Sequence, residues 1–479
     1  MGGFAVMFRR GWGWGACLAL VGMGCGGAVA AGEGAPGGEP ASEVAPLRVG
    51  EDGSASGAVA PAMPAGEPLW LQVQRGAGKE QAAGVAYDKS GNLLVATNVS
   101  YGGLEDASGV ISEPVVSGFF ITKYSKSGER QWSRRFEGKV TALSVDWEGN
   151  AVAWGTGTGA ASPGLELSGY FLMKLDADGE SRWARSIQSL APGAFTGLRI
   201  STDRQGNVAI AGTLETAVGQ PPALASEGRV AVVMSYTSDG APRWSRVESR
   251  PSDGTGAAVD ANGTVYFSGF LRVPAPGETH FVPFLQRLAP DGTLEWEREL
   301  PTRYAVTTGM ALRGNRVLVT GYAMQDYTFA GKHYVPGSGH SDGFLLAYNR
   351  DGEERWSRQM GYSALDVNLT SGEGAVIIGR YENGDDLGTG PMPGAVGSQR
   401  NIFIARYDRE EGGLEWVRGF SQDAMPTVDT HMDRFFVTTS LTGEVTAMGA
   451  TLNAVNFGSR SLPAPLGGWR DLFIVGLSP

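Results

Sequence analysis

The sequence predicts an all-β protein, a seven-bladed β-propeller of four-stranded antiparallel blades, and three observations carry that prediction. Seven of the twelve tryptophans, Trp70, Trp132, Trp183, Trp244, Trp296, Trp356 and Trp416, recur at intervals of 51 to 62 residues. Each interval holds short apolar or alternating runs separated by turns rich in Gly, Asp and Asn. Seven copies of one run, the third in each unit, are present, whereas the first tryptophan run, 69–73, precedes any complete unit and the last unit has none. Self-similarity at such a period marks repeated supersecondary units, and four strands per unit of this length make a propeller blade. The surplus strand at one end and the missing strand at the other predict a ring closed by the N-terminal strand joining the last blade.

Residues 1–25 read as a signal peptide. Arg9 and Arg10 precede an apolar stretch from Gly11 to Met23, too short and too rich in glycine for a membrane span. Two cleavage patterns compete: Ala28-Val29-Ala30 suits a signal peptidase, whereas Val21-Gly22-Met23-Gly24-Cys25 resembles a bacterial lipoprotein box, with Gly22 where leucine is usual. The second makes Cys25 the lipid attachment point. Residues 26–67 are mostly Gly, Ala, Pro, Ser and Glu, a composition that buries too little apolar surface to offset its ordering entropy. It is expected to be a disordered tether spanning roughly 35 Å. The propeller is then 68–479. Cys17 and Cys25 are the only cysteines, so the propeller holds no internal disulfide. With 39 Lys plus Arg against 50 Asp plus Glu, the net charge of −11 argues against nucleic acid as a partner.

Within each unit the first run is short and ends in an acidic or glycine turn, as in Leu143-Ser144-Val145-Asp146. The second follows within a few residues and closes on a recurrent glycine, among them Gly155, Gly212, Gly269, Gly321 and Gly379. Gly and Asn tolerate the positive φ of tight turns, so the pair reads as a hairpin. The regular phase of those glycines, with no helix after them, marks close backbone approach and not a phosphate loop. The third run is the most uniform, for example Phe171-Leu172-Met173-Lys174-Leu175 and Ile402-Phe403-Ile404-Ala405-Arg406-Tyr407. A tight turn leads from it to the tryptophan run, commonly Trp-x-Arg, as in Trp132-Ser133-Arg134. Residues two apart on a strand share a face, so the ring is placed to dock on the neighbouring unit with the guanidinium stacked on it.

The succession Gly-Asn-Val-x-x-x-Gly, Phe-x-x-Lys-Tyr or Leu, then Asp-Gly and Trp resembles the bacterial β-propeller repeat of secreted and cell-surface proteins. Its turn is similar to the tryptophan-docking turn of quinoprotein-type propellers. The resemblance runs from Trp70 onward and implies the fold; it implies no single function, because members of such families do many things. The quinoprotein likeness stops at the turn, since seven blades, no vicinal cysteines and no cofactor or calcium set distinguish this chain.

Connections from second to third runs are long, and strand direction places them on one face with the links between units. Tyr101, Tyr327, Phe329, His333, Tyr334, His340, Phe457 and Trp469 fall there and are candidate contact residues, set against a role in pinning their own loops. Glu382, Asp385 and Asp386 form the densest acidic loop, able in principle to hold a cation or a sugar hydroxyl. His280, His333, His340 and His431 lack zinc spacing, Asp176-Ala177-Asp178-Gly179 lacks the distal glutamate of an EF-hand, and no serine elbow is present. No catalytic residue, metal or cofactor is therefore assigned. The reading is a monomeric, exported, lipid-anchored binding or scaffold module contacting protein or glycan at the cell envelope. The other readings are a periplasmic or secreted polysaccharide hydrolase or lyase using Asp385 and Asp386, and an envelope-assembly lipoprotein, whose known propellers have eight blades.

Overall fold

A computed structural model describes residues 64–74, 79–102, 115–162, 165–187, 194–215, 228–337, 341–382, 384–392, 401–420, 434–451, 454–462 and 471–479. All lie in one unit, Pro61–Pro479. The leader, Cys25 and nearly all of the tether lie outside the described residues.

Seven four-stranded antiparallel sheets follow one another along the chain. Blade 1 runs from Lys79–Tyr87 to Arg130–Phe136, blade 2 from Lys139–Val145 to Ser181–Ile187, and blade 3 from Ala194–Thr202 to Pro242–Val247. Blade 4 spans Ser252–Val259 to Leu294–Glu299, blade 5 Ala305–Arg313 to Glu354–Met360, and blade 6 Ser363–Leu369 to Leu414–Phe420. In blade 7 the strands Phe436–Thr439, Val445–Thr451 and Asp471–Leu477 are completed by Pro68–Gln74, with Trp70 opposite Gly476 and Val73 opposite Phe473. The ring is thus closed by the N-terminal strand.

The cores lie between blades. One joins Trp154 and Trp183 of blade 2 to Phe195, Ile210 and Val232 of blade 3. A sheet buries its apolar faces only against a neighbour, so each blade depends on the next. At the outer edge every seam is closed the same way: a tryptophan ring lies on a positive-φ glycine in the turn before the next blade's outer strand. A Cβ on that glycine would meet the ring at 2.6 to 3.1 Å for all seven pairs, from Trp132 on Gly179 to Trp356 on Gly412. Only glycine adopts φ +82 at position 179 without strain and leaves the ring its place. Trp356 Nε1 donates to Arg409 O at 3.0 Å, and the Arg358 guanidinium lies 6.0 Å from the Trp356 ring centroid. The calcium-loop likeness at Asp176 resolves into this turn, with the Gly179 N–H donating to Asp176 O at 3.0 Å and Trp132 docked upon it.

At the closing blade the turn is assembled from two distant segments. In blade 1 the Ser125 N–H donates to Glu129 O at 2.7 Å and the Gly128 N–H to Ser125 O at 2.9 Å. In blade 7 the Ser478 N–H donates to Glu67 O at 2.9 Å and the Gly66 N–H to Ser478 O at 3.2 Å. The hydroxyls match as well: Glu129 N–H donates to Ser125 Oγ at 3.1 Å, and Glu67 N–H to Ser478 Oγ at 3.0 Å. Ser478-Pro479 and Ala65-Gly66-Glu67 therefore form one docking turn with a break in its backbone. Trp416 docks on Gly66, and Arg418 donates to Ala65 O at 2.6 Å.

The seam between blades 7 and 1 also holds Glu80, fully buried, with neither carboxylate oxygen paired to another side chain among the described residues. Burial, and then the charge of Asp471, push its pKa from 4.5 up to about 8. The folded state thus keeps a proton that the unfolded chain releases, and stability should fall as pH rises from about 4.5 toward 8. Unfolding titrations of the wild type and Glu80→Gln across that window are expected to show a steeper fall for the wild type; parallel curves would count against the assignment.

Removing a docked ring deletes a large buried surface and leaves a void. Trp356, 6% exposed, should cost about 3 to 5 kcal/mol when changed to alanine, and the partly exposed Trp244 less. Denaturant unfolding reads both, and a Trp356→Ala value within error of wild type would remove the docking role.

Candidate functional site

The aromatics expected on the long-loop face divide by burial. Tyr327, Phe329 and Tyr334 are at most 5% exposed and belong to the core of blades 4 and 5. They form a small hairpin, Tyr327–Phe329 with Lys332–Tyr334, in which Tyr327 and Tyr334 stack at 4.9 Å and the Tyr334 hydroxyl reaches Ser357 Oγ at 2.7 Å. Their burial fits the reading in which these rings pin their own loop to the blade edge. Phe457 is likewise buried against Phe420, their centroids 4.9 Å apart. Asp385 accepts the Glu382 N–H at 2.8 Å, and Asp386 accepts those of Gly388 and Gly390 at 2.7 and 3.0 Å. Both carboxylates are thus engaged in shaping their own loop. His333 is exposed, with Nε2 3.6 Å from Asp326 Oδ2. Tyr101 lies in the strand Leu93–Gly102, its side chain not described, and His340 and Trp469 lie outside the described residues.

A solvent-open groove stands instead where blades 4 and 5 meet on that face. In blade 4 the expected long loop is a continued hairpin: Val265–Ala275 pairs with Glu278–Leu288 up to Ala275 opposite Glu278, turning through Pro276 and Gly277. The link to blade 5 is laid against this hairpin, with the Phe281 N–H donating to Arg303 O at 2.8 Å and the Leu300 N–H to Pro283 O at 3.0 Å. On its other side the Met324 N–H donates to Tyr304 O at 2.7 Å. These bonds fix a groove of about 520 Å³ walled by Pro301, Thr302, Arg303, Gln325 and Asp326.

Beside it lies an aromatic cluster. Phe281 and Tyr304 are 6.4 Å apart, His280 and Tyr304 5.5 Å, and Phe270 and Phe281 5.8 Å, all half-buried. The Tyr304 hydroxyl donates to Glu278, whose other oxygen meets His280 Nε2 at 2.8 Å. These two partners, Tyr304 first, hold the Glu278 carboxyl below its usual range, and Glu278 in turn raises the Tyr304 hydroxyl. Arg272 lies over Phe281 at 5.4 Å and is anchored to the buried Asp253, which also accepts from Arg229. Thr302 Oγ1, in a residue of the groove wall, is buried with no hydrogen-bond partner among the described residues. A guanidinium, an amide and a carboxylate near aromatic rings are groups that can hold a polyhydroxylated ligand, because they donate to and accept from its hydroxyls while rings cover its apolar faces.

Sequence reasoning passed over Phe270, Arg303, Tyr304, Gln325 and Asp326, and read His280 as scattered. The available signal was the pairing of Phe270-x-Arg272 with His280-Phe281 across Pro276-Gly277, where alternation continues beyond the length of an ordinary blade strand.

No family model matches the chain, and no curated protein matches it in sequence. Among solved structures it is similar to the propeller domain of the Trilobed protease from Pyrococcus furiosus, at 9% identity, covering 83% of this chain and 93% of that one, with a TM-score of 0.43. The polysaccharide lyase Uly1 gives 9% identity, 83% and 90% coverage, and 0.42. XC5397 from Xanthomonas campestris, described as a gluconolactonase, gives 14%, 88% and 99%, and 0.32. The first of these is described as a β-propeller domain, and similarity this low adds nothing on activity; the fold rests on the strand pairing above.

Proposed function

We propose that the protein is an exported, lipid-anchored binding module whose ligand is a glycan, held in the groove between blades 4 and 5. The observation that carries this reading is the groove wall itself: Arg303, Gln325 and Asp326 line it, and the Phe281–Tyr304 ring pair belongs to the same hairpin and link that form it. The seam is rigid, since the backbone bonds from Phe281 to Arg303 and from Tyr304 to Met324 bind its two sides into the propeller. Preorganised polar groups favour binding because little ordering remains to be done. The anchor is read from the Val-Gly-Met-Gly-Cys25 box and the tether after it. The hydrolase or lyase reading has less support, because Asp385 and Asp386 are spent on their own loop.

Both parts are tested on three chains expressed in a Gram-negative host. The wild type should fractionate with membranes and be retained on immobilised envelope polysaccharide, and Cys25→Ser should become soluble yet bind equally well. Arg303→Ala with Asp326→Ala should lower retention about tenfold or more without lowering the unfolding midpoint. Undiminished retention would refute the groove, and a soluble wild type would refute the anchor.

A further inference from the structure

The central channel carries a second set of groups, on the inner strands and remote from the groove. Each described inner strand of blades 1 to 6 shifts register near its middle, as between Thr196 and Arg199 in blade 3 and between Ala364 and Asp366 in blade 6. From that point in blade 3 the Arg199 side chain crosses the channel. Its Nη2 donates to Thr308 O of blade 5 at 3.3 Å, and its guanidinium lies 5.1 Å from the ring centroid of Phe436 in blade 7. Arg434 reaches across from blade 7 to donate to Thr141 O of blade 2 at 2.8 Å. Among the described residues neither arginine forms an ion pair. The carboxylate on this level is Asp366, whose Oδ2 accepts the Val437 N–H at 3.0 Å. Burial raises the Asp366 carboxyl above its usual range, with Arg199 opposing, and burial together with Arg199 brings Arg434 down to about 10.

From this level to the last residues of the inner strands runs a chamber of about 370 Å³. Its charged lining groups are Arg199, Arg313 and Asp366, and its hydroxyl and amide groups include Ser144, Ser201, Thr202 and Asn368. The lining is therefore net positive in a chain of net charge −11. Arg199 spends one of its five N–H groups on Thr308 O, and the other four make no hydrogen bond among the described residues. The half-buried guanidinium thus keeps N–H groups to offer an anion, and a carboxylate meets its fork in the best geometry.

We propose that this chamber binds a small hydroxylated carboxylate of monosaccharide size, with the carboxylate on Arg199, the rest of the molecule toward Arg313, and its hydroxyls on Ser201, Thr202 and Asn368. The volume is within the range of small-ligand sites and admits one sugar ring. The proposal is independent of the groove between blades 4 and 5, and either one stands if the other fails.

Calorimetric titration of the full chain with sodium glucuronate tests it, with glucose and inorganic phosphate as controls. Glucuronate should bind one to one, with glucose and phosphate each about tenfold weaker or more. Arg199→Gln should abolish the heat. Because that variant also removes a brace across the channel, Asp366→Asn supplies a test in the opposite direction: losing the opposing charge should tighten glucuronate about threefold or more, a gain that misfolding cannot produce. No binding of glucuronate, equal binding of glucose or phosphate, or unchanged affinity in Asp366→Asn would overturn the proposal.

Discussion

One contact, a tryptophan ring laid on a glycine of the next blade's turn, governs how this ring of sheets holds together. A four-stranded blade has two apolar faces and no means of burying either alone, so its stability resides in its seams. The tryptophan closes the wide outer end of the seam, where blades splay, while Val, Ile, Leu and Phe fill the interior. Glycine is required beneath it for two reasons at once: its backbone has positive φ, and a Cβ would occupy the ring's place. The Trp-x-Arg pattern supplies the remainder, since the arginine two residues on clasps the carbonyls of the same turn, as Arg134 does with Gly179 O at 3.2 Å.

A closed ring cannot tolerate one weak seam, and the last is where the backbone is interrupted. The protein meets this by rebuilding the turn from two segments with the same hydrogen bonds, the same glycine and the same arginine clasp. That closure also sets the function-bearing surfaces. The propeller ties the groove between blades 4 and 5 to its neighbouring strands through backbone bonds, and it holds the inner-strand register shifts in place around the channel, so that Arg199 finds Thr308 two blades away.

The period of the tryptophans, the blade count and the closing strand were all legible in the sequence, because each depends on residue types that only one structural role accepts. Site residues were less so. Tyr327 and Tyr334 in a long connection look like contact residues, and only the pocket at the blade edge decides that they stack inward. The groove is built of Thr302, Arg303, Gln325 and Asp326, which are unremarkable in a linear reading and meet only because the blade 4 hairpin extends beyond its expected length. Arg199 is harder still: its meaning comes from a register shift and from carbonyls far along the chain.

The interrupted turn is the feature on which closure rests, and Gly66 is its most exacting position, with φ +75 and Trp416 Cε3 at 2.9 Å from where a Cβ would stand. The most direct measurement is equilibrium unfolding of Gly66→Val beside Gly412→Val, its counterpart in an unbroken turn under Trp356. If the two segments form a true docking turn, both variants should lose a similar amount, about 2 to 4 kcal/mol. A Gly66→Val protein within about 0.5 kcal/mol of wild type, the range of an ordinary surface change, while Gly412→Val is strongly destabilised, would show that the seventh seam is held some other way.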